Sequence, residues 1–126
     1  MGFLDKVLGN ASTINLDEVR TELEEVLIPS ETIISAYKVV RNLLVFTDKR
    51  LILIDKQGMT GKKVEYKSIP YKSISRFSVE STGRFDLDVD MKIWISSEAE
   101  PSTVINFSKG TPVAEIQQTL AQAILG

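Results

Sequence analysis

The chain has 126 residues and a mass of 14.0 kDa, the size of one domain, and its 43% hydrophobic and 25% charged residues exclude a disordered or collagen-like chain. It contains no His and no Cys, which removes His general bases, thiol nucleophiles, disulfides and the usual zinc, haem and iron-sulfur sites. A net charge of -2 and a pI near 5.2 argue against a nucleic-acid binder.

The start, Met-Gly-Phe-Leu-Asp-Lys, lacks the long apolar run and small-residue cleavage site of a secretory signal. No stretch approaches the roughly 18 apolar residues that cross a bilayer, so the sequence reads as soluble and cytoplasmic. Residues 2–8 place Phe3, Leu4, Val7 and Leu8 on one helical face before Gly9 and Asn10 stop it. Asn15 followed by Glu18 reads as an N-cap with its capping-box partner, and Leu16, Val19, Leu23, Val26 and Leu27 recur at helical spacing until Pro29. From Thr32 the period changes to that of strands, expected at about 32–40, 42–47, 50–55, 62–68, 73–80, 85–96 and 103–108. Short connections between them predict antiparallel hairpins. Thr111 as N-cap and Pro112 at the first helical position open a last helix with Val113, Ile116, Leu120, Ala123 and Ile124 on one face.

These elements predict a mainly β fold, a small barrel of seven antiparallel strands plugged by one helix. The expected organisation is a single domain over 1–126, with a helical extension (1–28), barrel strands (32–108) and a capping helix (111–125). The run from Phe85 alternates most clearly: Phe85, Leu87, Val89, Met91, Ile93 and Ile95 face a core, and Asp86, Asp88, Asp90, Lys92 and Trp94 face water. Phe77 and Val79 must join the same core, which requires an odd number of loop residues around Thr82 and Gly83, and places Arg76 opposite Asp88 or Asp90. Two runs do not alternate. Leu43 to Phe46 and Leu51 to Ile54 are apolar on both faces, so the second face needs a cover, either the N-terminal helices or another copy of the protein. Phe3, Leu4, Val7, Leu43, Val45, Ile52 and Ile54 are therefore the candidate interface of a homo-oligomer.

The string FTDKRLILIDKQG at 46–58, with GKKVEY at 61–66, IPYKSISRFSVE at 69–80 and FDLDVDMKIWIS at 85–96, resembles the bacterial pleckstrin-homology (PH) domain family, in particular its single-domain type. The resemblance spans nearly the whole chain. It implies two nearly orthogonal antiparallel sheets, seven strands in all, closed at one end by a C-terminal helix. It also implies ring-shaped homo-oligomers, and it brings no catalytic residue. Eukaryotic PH domains bind phosphoinositides through basic residues in a roomy loop between the first two strands, whereas here that connection is short, with Lys38 and Arg41 as its nearby bases.

The small net charge hides a segregation. Residues 38–76 hold ten Lys or Arg against Asp48, Asp55 and Glu65, a balance of +7, and the rest of the chain holds five bases against fourteen acids, a balance of -9. Lys56, Lys62, Lys63 and Lys67 bracket the glycine-containing stretch DKQGMTGKK, where ammonium and backbone groups can meet an anionic headgroup or an acidic partner. The alternative is a solvated hairpin edge kept from aggregating by its lysines. Asp86, Asp88 and Asp90 resemble the start of a calcium loop, but the glycine and glutamate that such a loop needs are replaced by Met91 and Ser97. Gly58 and Gly61 before Lys62 lack P-loop spacing, and Tyr37, Tyr66, Tyr71 and Trp94 lack an accompanying nucleic-acid-binding string. The sequence thus predicts a non-enzymatic, self-assembling interaction module without cofactor or metal, with another protein as partner. The alternative is weak peripheral binding of anionic lipid or a phosphorylated ligand through the basic loop.

Overall fold

The computed structural model describes residues 15–39, 42–57, 62–81, 89–107 and 111–126. The chain divides into two compact units, residues 1–68 and 69–126. The helix expected at 2–8, with Phe3, Leu4 and Val7, lies outside the described residues.

In the first unit helix α1 (Leu16–Glu22) starts at Asn15, whose side chain accepts from the backbone N–H of Asp17 at 2.7 Å. Regular helix stops at Glu22 instead of near Ile28. The next bonds tighten, Glu24 N–H to Thr21 at 3.3 Å and Val26 N–H to Leu23 at 2.8 Å. Two acids, Glu24 and Glu25, at the negative end of the helix dipole disfavour further regular turns. Strands β1 (Ile33–Val39), β2 (Asn42–Thr47), β3 (Arg50–Gln57) and β4 (Lys63–Pro70) follow and form one sheet in the order β1-β2-β3-β4.

Helix α1 lies on this sheet. Val19 and Leu23 join Ile33, Ala36, Leu43, Val45, Ile52 and Ile54 in one buried cluster, with Leu16, Val26, Leu27 and Val64 packed around it. The other face buries Leu44, Phe46 and Leu51, with the rings of Tyr37 and Phe46 edge to face, centroids 6.1 Å apart. The uninterrupted apolar runs of β2 and β3 therefore mark strands buried on both sides. Leu43, Val45, Ile52 and Ile54, expected at a homo-oligomer interface, are 7%, 0%, 0% and 0% exposed beneath the chain's own helix. The uncovered apolar face that motivated a homo-oligomer is thus absent at these residues, and that expectation is corrected.

In the second unit a 3-10 turn (Tyr71–Ser73) leads into β5 (Ile74–Ser81), β6 (Val89–Ile95) and β7 (Thr103–Phe107), an antiparallel sheet in that order. Neither sheet closes on itself, so the predicted barrel is corrected to two open sheets of four and three strands. Pro70, without an N–H, ends the β4 ladder, and the turn after it sends the chain into a different sheet. Phe77 and Val79 stand opposite Ile93 and Met91, in phase as predicted, and residues 82–88 that join the strands lie outside the described set. Arg76, however, faces Trp94 and not an aspartate; its guanidinium sits 4.4 Å from the ring centroid. A tight turn at Thr82 would have set the aspartate register, whereas the pairing of Ser81 with Val89 leaves seven residues between them.

Helix α2 (Val113–Leu125) buries Val113, Ile116 and Leu120, and lies against the 3-10 turn. It begins one residue later than expected. Pro112 has φ -78° and ψ 71°, and Val113 N–H donates to the Thr111 carbonyl at 2.8 Å. This is an inverse γ-turn, which keeps Pro112 outside the helix and leaves Thr111 without a capping role. No helix among the described residues is long and apolar enough to cross a membrane.

Candidate functional site

Register decides which connections of the four-stranded sheet share an end. Val39 pairs with Asn42, and Leu43 pairs with Ile54. The β1–β2 connection and the end of β3 therefore lie together, and the Asn42 side chain accepts from Lys56 N–H at 3.3 Å. Strand β4 neighbours β3 and begins at Lys63, after a connection too short for a parallel crossover. One end of the sheet thus gathers Lys38, Lys56, Lys62 and Lys63.

Lys38, Lys62 and Lys63 are exposed, and Lys56 and Lys67 are half-buried. Lys67 stands further along β4, away from this end. Lys56 has an acidic neighbour that the sequence reading did not single out: its Nζ lies 3.7 Å from Glu22 Oε1, the last residue of α1, with the two side chains 39% and 28% exposed. The pairing needs the helix folded over the sheet, and no local spacing in the sequence announces it. Residues 58–61 between the lysines lie outside the described residues, as do Arg41, Asp86 and Asp88. Asp90, on β6, accepts from the Asn106 side chain at 2.8 Å.

At the opposite end of the sheet a second polar cluster fastens α1 and its trailing turns. The Glu31 side chain is fully buried, and Arg50 reaches it in bidentate fashion, Nε to Oε2 at 2.9 Å and Nη2 to Oε1 at 2.8 Å. Arg50 also donates to the Val26 carbonyl at 2.8 Å and to Ser68 Oγ at 3.0 Å. Thr47 Oγ1 donates to Glu31 Oε2 at 2.6 Å and accepts from the backbone N–H groups of Lys49 and Arg50 at 3.1 and 3.0 Å. The Arg50 hydrogen bonds hold the Glu31 carboxyl below the ordinary glutamate range against the opposing effect of burial, and Glu31 in turn raises Arg50. All the donors that face this carboxylate are satisfied by the fold itself, so the cluster is a clasp. Among the described residues no group of three or more His, Cys, Asp or Glu side chains converges as a metal site.

This geometry, a four-stranded and a three-stranded antiparallel sheet followed by one C-terminal helix, defines a PH-like protein. The Bacterial PH domain family profile matches residues 2–124, and the chain belongs to that family. It is similar to YjqA of Bacillus subtilis (strain 168), 57% identical over 121 residues covering 96% of this chain and 97% of the relative. Its structure is similar to a pleckstrin homology domain of Shewanella amazonensis SB2B, with 53% identity, a TM-score of 0.84 and coverage of 98% and 99% of the two chains. A protein with a pleckstrin-homology domain from Shewanella loihica PV-4 is 51% identical, with a TM-score of 0.79 and coverage of 92% and 98%.

Proposed function

We propose that the chain is a non-enzymatic interaction module that binds anionic surfaces through the lysine-bearing end of its four-stranded sheet. The observation that carries this reading is the register, which brings Lys38, Lys56, Lys62 and Lys63 to one end although they are spread over 26 positions of sequence. None of the four is buried, and they stand at or next to the ends of three different strands, β1, β3 and β4. Such an arrangement suits an extended array of negative charge, of which the headgroup layer of an anionic membrane leaflet is the plainest case. Each base near such a leaflet contributes about 1 kcal/mol, so three or four give weak binding that salt screens.

Co-sedimentation at low salt tests the reading. The chain is expected to pellet with anionic vesicles and not with zwitterionic ones, and Lys62→Glu combined with Lys63→Glu is expected to abolish pelleting. If the wild-type chain stays in the supernatant at low salt, the lysines only protect the β4 edge from aggregation.

A further inference from the structure

We infer that Glu22 is a built-in competitor for the anion, so that anion binding at the lysine end and docking of α1 on the sheet oppose one another. The inference rests on the anionic-surface reading above. Its warrant is the position of one carboxylate. Glu22 closes α1, and α1 is held on the sheet by Val19 and Leu23, which are 1% and 0% exposed. The carboxylate therefore sits over Lys56 as part of a packed element and not as a wandering surface side chain. At 3.7 Å, with both partners partly solvated, the contact is an ion pair without a tight hydrogen bond. A headgroup phosphate presents the same kind of oxygen to the same ammonium. Lys56 cannot serve both fully.

Two consequences follow from linkage, because a contact that weakens ligand binding is itself weakened by the ligand to the same extent. Removing the Glu22 charge strengthens binding, and binding loosens α1. The size follows from the exposed-pair range, about 1.4- to 5-fold in affinity. Asp17 supplies the control, since it lies on the same helix and carries the same charge, but pairs with Arg20 at 3.0 Å and is 87% exposed. Glu22→Gln and Asp17→Asn each remove one negative charge from α1, and only the first touches Lys56.

The experiment titrates wild-type, Glu22→Gln and Asp17→Asn chains with anionic vesicles, and in a parallel arm with inorganic phosphate. The expected result is a gain of about 1.4- to 5-fold for Glu22→Gln and none for Asp17→Asn. A gain confined to vesicles assigns the site to a headgroup array, and a gain in both arms assigns it to single anions as well; either supports the competition. Amide exchange gives the reciprocal readout, with the Leu23 N–H, bonded to the Val19 carbonyl at 2.9 Å, exchanging faster in wild type when vesicles are saturating. Equal gains in both variants reduce the effect to net charge and overturn the inference, as does wild-type binding that Glu22→Gln leaves unchanged. Absence of wild-type binding in both arms instead removes the anionic-surface reading, and the inference with it.

Discussion

Strand β3 of the four-stranded sheet and strand β6 of the three-stranded sheet have comparable lengths and both bury their apolar residues, yet they are built differently. In β3 the neighbours Leu51 and Ile52 point to opposite faces and both are fully buried. In β6 burial alternates: Val89, Met91 and Ile93 are buried while Asp90, Lys92 and Trp94 are half-exposed. The wet face of β6 is finished with local polar pairs, Lys92 with Glu80 at 3.0 Å and Asp90 with Asn106 at 2.8 Å. The helix-bearing face of β3 is finished with packed side chains and, at its margins, with Arg50 and Lys56. The difference teaches that α1 is an integral layer of the first unit, and that the charged side chains at its margins pair with acids on the helix and on the segment that follows it.

Mutational sensitivity is the sharpest way to break this comparison. Leu51→Ala and Ile52→Ala should each destabilise by about 2 to 5 kcal/mol, measured by urea unfolding. In β6 the effect should alternate, with Ile93→Ala in the same range and Lys92→Ala below about 1 kcal/mol; a large loss at Lys92 would show a second covered face. The clasp comes next. Glu31→Ala should cost about 3 kcal/mol, because it strips the carboxylate from a largely buried Arg50.

The pH dependence has a definite sign. The Glu31 carboxyl is held below the ordinary glutamate value of 4.5, so its contribution is complete above that value and is lost as pH falls through the lower folded-state value. Wild type should therefore lose stability faster than Glu31→Gln in acid unfolding below about pH 4.5. Arg76→Ala should give the smallest effect, about 0.5 to 1 kcal/mol for the stack on Trp94, detected as a shift in urea midpoint and in tryptophan emission.

Much of the secondary structure was legible because the apolar period is local. The seven strands were expected within a few residues of their observed bounds over the described parts, and Asn15 announced its helix. What depended on distance in space was not legible. Whether the second apolar face of β2 and β3 met a helix or another copy was left open, since periodicity records that a face is covered and not by what. The barrel expectation failed because strand count carries no information on closure, which Pro70 and the following turn decide. A tight turn around Thr82 and Gly83 sets Arg76 opposite an aspartate, whereas the longer connection between Ser81 and Val89 gives it Trp94. Of the site, the lysines were visible as a charge run. Glu22 is hidden in an acidic stretch with Glu18, Glu24 and Glu25, and only the fold distinguishes it from them.

The clasp also limits what position 50 tolerates. Arg50 directs Nε, Nη1 and Nη2 to acceptors on Glu31, Ser68 and Val26, which lie 19, 18 and 24 residues away along the chain. A lysine ammonium gathers its three protons on one atom and has no planar fork, so it can face the carboxylate or reach the Val26 carbonyl but cannot span all three acceptors. In a segment otherwise rich in lysine, position 50 is a place where the two basic residues are not synonyms.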